Sequence, residues 1–270
     1  MSIFSELFEY SFMTRAVIAG ILVSLCSSLL GVSLVLKRYS MIGDGLSHVS
    51  FGALAIAAAL NMAPLAVSIP LVIIAAFFLL RITESGSMRG DAAIAVFSSS
   101  SLAIGIIVTG LTTGITTDVC NYMFGSVLAM SRTDVYVSVI LSFAVLALFV
   151  VFYNRIFAVT FDEPFSRATG VRVDLYNSAL AVLTAVTIVL GMRIMGALLI
   201  SSLIIFPALS AMRVCRYFKG VIICAAIISS VCFFIGICAS FYLEIAVGAS
   251  VVIANLIVFV TFSAVARLRR

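Results

Sequence analysis

Charge is what this sequence has least of. Charged residues make up 10% of its 270 positions, against about 25% in a typical soluble domain. Hydrophobic residues make up 64%, which is more apolar surface than a soluble fold can bury. A lipid bilayer accommodates such a chain as helices, because each helix satisfies its own backbone hydrogen bonds. The sequence therefore predicts an all-α, polytopic transmembrane helical bundle.

Motifs for nucleotide hydrolysis and for peptide or ester hydrolysis are also lacking. The sequence contains no GxxxxGK[ST] loop, no HExxH and no GxSxG, so we expect no P-loop ATPase or hydrolase activity. The six cysteines form no CxxC, and they predict neither a disulfide framework nor a structural zinc site. They are Cys26, Cys120, Cys215, Cys224, Cys232 and Cys238. Basic residues stand at the ends of apolar runs, so the net charge of +5 does not indicate a nucleic-acid partner. No permanently bound cofactor is expected.

Apolar runs separated by charges, Pro/Gly clusters and polar loops define the predicted spans. Glu6 and Glu9 precede the first run and no A-x-A-like site follows it, so we expect a span rather than a cleaved signal peptide. Nine candidate spans result, at 15–36, 45–61, 64–81, 91–111, 134–153, 174–191, 194–212, 220–242 and 246–266.

One further apolar segment, at 116–130, is too short to cross a hydrocarbon core about 30 Å thick. We interpret it as a partial or re-entrant helix, which leaves a total of eight to ten spans. No linker divides the chain, so residues 1–270 are expected to form one transmembrane domain.

The distribution of lysine and arginine predicts the orientation. With the N-terminus outside, thirteen basic residues fall in inner loops and three, Arg15, Arg132 and Arg193, fall in outer ones. Because cytoplasmic loops carry the excess of basic residues, we expect a cytoplasmic C-terminus in a plasma or inner membrane. The longest polar insert, 154–173, would then be cytoplasmic as well.

Asp44 and His48 are the first candidates for chemistry within a span. Ionisable residues inside spans are costly and rare, and His48 is the only histidine in the chain. Their spacing places both side chains on one face of a helix, one turn apart. Imidazole nitrogen and carboxylate oxygen together suit zinc, manganese or iron. The alternative is a structural polar pair near the inner membrane surface, and two ligands alone do not complete a metal site.

The second informative segment is FDEPFSRATGVRV in the polar insert. Asp162 suits a helix N-cap, Glu163 suits the first turn and Gly170 suits the C-terminal stop. The predicted helix is about two turns long and amphipathic, with Phe161 and Phe165 as its large apolar residues. It either rests on lipid headgroups or docks into a groove on a soluble partner.

A third segment, 192–212, combines Gly196, Ser201, Ser202 and Pro207 in one apolar run. Proline leaves a backbone carbonyl without its helical donor and bends a helix, so other helices or water must satisfy that carbonyl. Kinked helices rich in small residues often line transport pathways, although many only pack closely. We interpret Gly196, Ser201 and Pro207 as residues of a pathway helix.

Six segments in order resemble the permease subunits of the bacterial zinc/manganese/iron ABC importer family. They are GVSLVLKRYSMIGDGLSHVSFGALA, RGDAAIAVFSSSSLAIGIIV, DVCNYMFGSVLAM, FDEPFSRATGV, IMGALLISSLIIFPALSAMR and FYLEIAVGASVVI. The chain departs from the family pattern at Ala95, where glycine is usual, and at Val247, where proline is common.

The resemblance implies a type II ABC importer-like fold with partners. These are a homodimeric or paralogous second permease, two cytoplasmic ATP-binding cassette ATPase subunits, and an extracytoplasmic metal-binding protein. Carried over by position, Asp44 and His48 become metal ligands on the pathway. Residues 161–170 become the cytoplasmic coupling helix, in which Phe161, Asp162, Glu163, Phe165 and Gly170 contact the ATPase.

The transported ion is not readable from the motifs. Zinc is slightly favoured because of His48, while Mn²⁺ and Fe²⁺ stay open. Only a neutral imidazole coordinates a metal, so uptake is expected to weaken at acidic pH. Two alternatives remain at this point: a permease for a metal chelate such as haem, a siderophore or a corrinoid, and a secondary transporter or channel that acts without an ATPase.

Overall fold

A computed structural model describes residues 11–84, 90–112 and 132–268 of the chain. In these ranges the regular structure consists of ten helices: α1 (Ser11–Leu36), α2 (Ile42–Ala59), α3 (Pro64–Glu84), α4 (Gly90–Leu111), α5 (Arg132–Phe161), α6 (Glu163–Ala168), α7 (Val173–Met195), α8 (Ala197–Val214), α9 (Phe218–Leu243) and α10 (Val247–Leu268). All but α6 are long and apolar enough to cross a membrane. The predicted all-α bundle is confirmed, and each predicted span corresponds to one of these nine helices. The segment predicted as a partial helix, 116–130, lies outside the described residues.

Two predicted boundaries were wrong. The span predicted at 134–153 is longer, because α5 continues to Phe161. Arg155 lies on its exposed side, where a charged side chain reaches polar surroundings without breaking the helix. The span predicted at 194–212 begins later, because Gly196 adopts φ 87 and ψ 163 and separates α7 from α8. Those angles are open to glycine and strained for other residues.

Burial divides the helices into a centre and a periphery. Helices α1, α2 and α7 are mostly buried, whereas α4 and α10 present most of their surface to the outside. Helix α1 packs against α5, α7, α8 and α9, and α2 packs against α3, α4, α7 and α8. The outer side of α10 is apolar, with Ile253, Ile257 and Val260 exposed. Such a surface suits contact with lipid, and it leaves the functional groups to the central helices.

The two ends of the bundle carry different polar contacts. At one end, the turn after α1 meets α6 and the first turns of α7, and we call this the α6 end. At the opposite end, Arg193 of α7 forms an ion pair of 3.0 Å with Asp134 of α5, and both side chains are 13% exposed. This pair joins the last turn of α7 to the first turn of α5.

Small residues let the central helices approach each other closely. A Cβ added to Gly31 of α1 would lie 2.1 Å from the carbonyl oxygen of Ile204 in α8. A Cβ added to Gly52 of α2 would lie 2.7 Å from the carbonyl oxygen of Ser101 in α4. Both are backbone contacts, which cannot yield by a change of rotamer. Glycine at these positions sets the spacing of α1, α2, α4 and α8, as in other membrane helix pairs with small residues at the interface.

The Gly31→Ala substitution is expected to destabilise the bundle by about 2 kcal/mol, because the new methyl group forces α1 and α8 apart. The measurement is thermal unfolding of the purified protein in detergent micelles. Gly110→Ala is the matched control, since it also lies in a helix but has no atom within 4 Å of the added Cβ. The control is expected to leave stability unchanged or to raise it slightly. Equal melting temperatures for the two variants would contradict the close approach.

Candidate functional site

The site begins with the sharp turn between α1 and α2. Arg38 adopts the left-handed conformation with φ 63. The amide of Tyr39 donates to Leu34 O at 2.8 Å and the amide of Arg38 donates to Val35 O at 3.1 Å. This pair of bonds is the Schellman motif that satisfies the last carbonyls of a helix. It ends α1 firmly, and α2 begins at Ile42 within a few residues.

Asp44 and His48 lie together on the first turns of α2, as predicted. The His48 Nε2 atom is 3.8 Å from Asp44 Oδ2, and the two side chains are 21% and 44% exposed. Ligand atoms of zinc stand about 2.0–2.2 Å from the metal, so two ligands of one ion are at most about 4.2 Å apart. The observed separation therefore permits one ion to bridge both groups. The carboxylate is also favoured where it stands, since the N-terminus of a helix is electropositive.

The neighbours of α2 define the direction in which the pair points. A Cβ on Gly43 would lie 2.9 Å from Ile204 Cδ1 of α8, and one on Gly45 would lie 2.5 Å from Ile94 Cγ2 of α4. Successive helical residues are rotated by about 100°, so Asp44 projects between these two contacts. His48 is rotated only about 40° further around the helix. Both side chains therefore face the gap between α4 and α8.

The level of the pair along α8 follows from the contact between Gly43 and Ile204. Ile204 lies in the middle of α8, which continues for ten residues to Val214. That is about 15 Å of helix between the level of Gly43 and the last residue of α8 at the α6 end. The pair therefore stands on the first turns of α2, beside the middle of α8.

The predicted pathway residues are only partly brought to the pair. The Ser201 Cα atom is 3.7 Å from a Cβ built on Gly43, and the Ser201 hydroxyl donates to Ala197 O at 3.2 Å. Gly196 forms the break before α8, and Pro207 is buried within a helix that continues past it. Ser201 thus belongs to the surroundings of Asp44, whereas Gly196 and Pro207 shape α8 itself.

An apolar cluster lies beyond His48, toward the opposite end. Phe51, Leu54, Met192 and Ala197 are buried together, and Leu102 packs against them. Gly105 of α4 makes room for the Phe51 ring, since a Cβ there would lie 2.6 Å from it. The cluster joins α2, α4, α7 and α8. Sequence reasoning missed it, because its members come from four separate helices.

Further ligands for an ion are not supplied by the residues that the structure describes. In those ranges, no group of three or more His, Cys, Asp and Glu side chains comes together. Asp118 and Cys120, which lie in 113–131, are outside them. Within the described part of the chain, Asp44 and His48 are therefore a pair of potential ligands without a third beside them.

The short helix α6 has the caps that its sequence predicts. Asp162 is its N-cap, and its Oδ1 atom accepts a hydrogen bond from the Phe165 amide at 2.9 Å. At the other end Gly170 has φ 83, and the Val171 amide donates to Ser166 O at 3.0 Å. Together with the bond from the Gly170 amide to Arg167 O at 3.2 Å, this C-terminal bond forms a second Schellman motif, and the helix ends after six residues.

The sequence predicts Phe161 and Phe165 as the large apolar residues of this short helix, but the structure places them in different helices. Phe165 lies within α6 and is 64% exposed, as an unpartnered apolar side chain. Phe161 is instead the last residue of α5. Its ring packs 4.9 Å from Phe157 and 5.6 Å from Phe218, because α5 remains helical through the polar insert. The exposed apolar group on α6 is therefore Phe165.

A buried lysine, Lys37, connects α6 with the turn that precedes Asp44. Its ammonium forms an ion pair of 3.5 Å with Glu163 Oε2 and also donates to Asn177 Oδ1. Only 8% of the Lys37 side chain is exposed. Sequence reasoning assigned Lys37 to the basic residues of an inner loop, and its contacts arise only when α1, α6 and α7 meet.

The nine long apolar helices of the described residues define a polytopic membrane protein. Comparison with known proteins refines this class. The model of the ABC 3 transport family matches residues 9–266. The high-affinity zinc uptake system membrane protein ZnuB of Haemophilus influenzae is 30% identical over 245 residues, which cover 91% of this chain and 94% of that protein. The manganese transport system membrane protein MntC of Halalkalibacterium halodurans is 27% identical over 251 residues, covering 93% and 86%.

A solved structure agrees with the sequence relatives. In PsaBC from Streptococcus pneumoniae in complex with Fab, one chain superposes with a TM-score of 0.88 at 26% identity and covers 99% of both chains. This chain therefore belongs to the ABC 3 transport family, and the resemblance seen in its six ordered segments is confirmed.

Proposed function

We propose that this chain is the membrane-spanning permease subunit of an ATP-binding cassette importer that carries a divalent transition-metal ion into the cytoplasm. The observation that carries the proposal is the placement of Asp44 and His48. They face a gap between α4 and α8 at the level of the middle of α8, with Nε2 and Oδ2 3.8 Å apart. An incomplete set of ligands suits transport, because an ion held by a full set would leave slowly.

The α6 end is the cytoplasmic end in this proposal. It carries most of the basic residues that flank the spans, in keeping with the excess of lysine and arginine in cytoplasmic loops. Helix α6 is then the coupling helix, and Phe165 is the group that enters a groove on the ATPase. The opposite end, with the ion pair of Asp134 and Arg193, faces outward and receives the ion from a metal-binding protein.

A second permease chain, identical or paralogous, completes the pathway. The two-ligand site leaves room for ligands from the partner or from residues 113–131. Two ATPase subunits bind at the α6 ends, and their closure on ATP moves the coupling helices as rigid bodies. This chain forms the ion pathway and carries the coupling helix, and its ATPase partners hydrolyse ATP.

The ion carried is Zn²⁺ in our proposal, with Mn²⁺ and Fe²⁺ as the competitors. Relatives that are named for zinc and for manganese resemble the chain about equally, at 30% and 27% identity. Imidazole is a ligand typical of zinc, whereas carboxylate and water alone are typical of magnesium-like ions. His48 therefore favours zinc as the transported ion.

The test is uptake into proteoliposomes that contain the permease with the ATPase that co-purifies from its native host. We expect uptake of Zn²⁺, with Mn²⁺ and Fe²⁺ measured in parallel, only when the ATPase, ATP and the metal-binding protein are all present. Uptake without the ATPase would identify a secondary transporter or channel instead. Uptake of haem or a siderophore complex, with none of the free ion, would identify a chelate permease.

A further inference from the structure

Lys37 is the most buried of the charged groups at the α6 end whose ion pairs are described. Its side chain is 8% exposed, against 38% for Glu163 and 59% for Arg167. A buried ammonium is costly unless it is paired and hydrogen-bonded. Here Glu163 and Asn177 supply both conditions, from α6 and α7 respectively. The burial of the ammonium and its second partner distinguish this contact from a solvent-screened surface ion pair.

The position of Lys37 in the chain links this contact to the proposed ion ligands on α2. Lys37 is the residue after α1, and α2 begins at Ile42. The turn between them is held by the hydrogen bonds from Arg38 and Tyr39 to the last turn of α1. Asp44 stands in the first turn of α2. A displacement of the Lys37 ammonium therefore acts on a stiff turn only seven residues before the proposed ion ligand.

Open space surrounds this contact on the α6 side. A cavity of about 300 Å³ is lined by Lys37 and Tyr39 from the turn and by Val159 through Pro164 from the α5–α6 segment. This space lies between the α5–α6 segment and the turn, and the ion pair of Lys37 and Glu163 bridges it. Arg167 reinforces the same carboxylate, at 3.5 Å from Glu163 Oε1, and binds Asp174 of α7 at 2.9 Å.

We propose that Lys37 is the positioning residue that transmits displacement of the coupling helix to the ion ligands on α2, through its ion pair with Glu163. This proposal rests on the proposed function, since it assigns a route for the movement that ATP drives. Lys37 does not touch the ion. When the ion pair is present, movement of α6 changes the position of Asp44 and His48. Without the ion pair, α6 moves relative to the turn and the two ligands stay in place.

The test compares Lys37→Met with Arg38→Met in the complete importer. Both remove one positive charge from the same turn, but Arg38 is exposed. For Lys37→Met we expect Zn²⁺ uptake to fall at least tenfold, while the ATPase still co-purifies and ATP hydrolysis stays within about twofold of the original complex. For Arg38→Met we expect both rates to be unchanged. A residue that only stabilised the fold would lower uptake, hydrolysis and complex yield together.

A second variant covers the case in which Lys37→Met does not accumulate. Glu163→Gln keeps the buried lysine on Asn177 but removes the charge that links it to α6, and it is expected to uncouple uptake from hydrolysis in the same direction. Zn²⁺ binding to the detergent-solubilised permease should be unchanged in both variants. Uptake equal to that of the original complex, or a parallel loss of uptake and hydrolysis, would overturn the proposal. Failure of the unmodified complex to take up any metal would instead reject the proposed function.

Discussion

His48→Ala is expected to lower ATP-dependent metal uptake at least tenfold, and Asp44→Ala is expected to do the same. Changes to the surroundings of a metal ligand already cost 10–100-fold, and these variants remove the ligand atoms themselves. The loss should be one of ion binding, since both side chains face the gap between α4 and α8 and neither belongs to α6, the proposed docking helix. ATP hydrolysis in the absence of metal should therefore be retained.

The matched control is Met41→Ala, which shortens an exposed side chain immediately before the same helix. It is expected to leave insertion, ATPase capture and uptake unchanged. The measurement is metal accumulation in proteoliposomes, normalised to the amount of correctly inserted permease. If Asp44→Ala and His48→Ala, inserted normally, kept full uptake, the assignment of the pair as ion ligands would be wrong.

Phe165→Glu is expected to abolish capture of the ATPase by the permease. The Phe165 side chain is 64% exposed and is the large apolar group that α6 presents outward. Removal of an aromatic anchor from the centre of an interface typically costs 2 kcal/mol or more, which is about 30-fold in affinity. The new carboxylate adds a desolvation cost on top of that loss. Uptake should fall with capture, while the permease itself remains folded.

Phe165→Glu tests docking more directly than charge reversal at the neighbouring acidic residues does. Asp162 caps α6 through the Phe165 amide, and its loss would unfold the helix rather than test docking. Glu163 holds Lys37. The control for Phe165→Glu is Leu243→Glu at the opposite end, where the side chain is 66% exposed. If ATPase capture were unchanged by Phe165→Glu, or lost equally in both variants, α6 would not be the docking helix.

Local rules allowed much of this fold to be predicted from the sequence. In the described ranges, the nine helices long enough to cross a membrane follow from runs of apolar residues, and the caps of α6 follow from Asp162 and Gly170. The i, i+4 spacing likewise places Asp44 and His48 on one face before any tertiary contact is known. These features depend on residues close together in the chain, where helix geometry alone decides the outcome.

The features that the sequence did not predict depend on contacts between helices that are distant in the chain. The position of Asp44 beside the middle of α8 is set by the contact of Gly43 with Ile204, which lies far away in the chain. The role of Lys37 is set by Glu163 and Asn177, and a lysine at the end of an apolar run is typical of any inner loop. The end of α7 at Gly196 was also missed, because glycine in a run of small residues equally suits a continuous helix that packs closely.

Ile204 is contacted from two sides, by Gly31 of α1 and by Gly43 of α2. The contact with Gly31 is made by the Ile204 carbonyl oxygen, so no change of rotamer can absorb a small movement on that side. Densely packed interiors respond to sub-ångström displacements by switching between discrete arrangements and not by continuous deformation. A push on the turn between α1 and α2 should therefore carry the middle of α8 with it. Helices α2 and α8 would then move together, and the width of the pathway would change in one step.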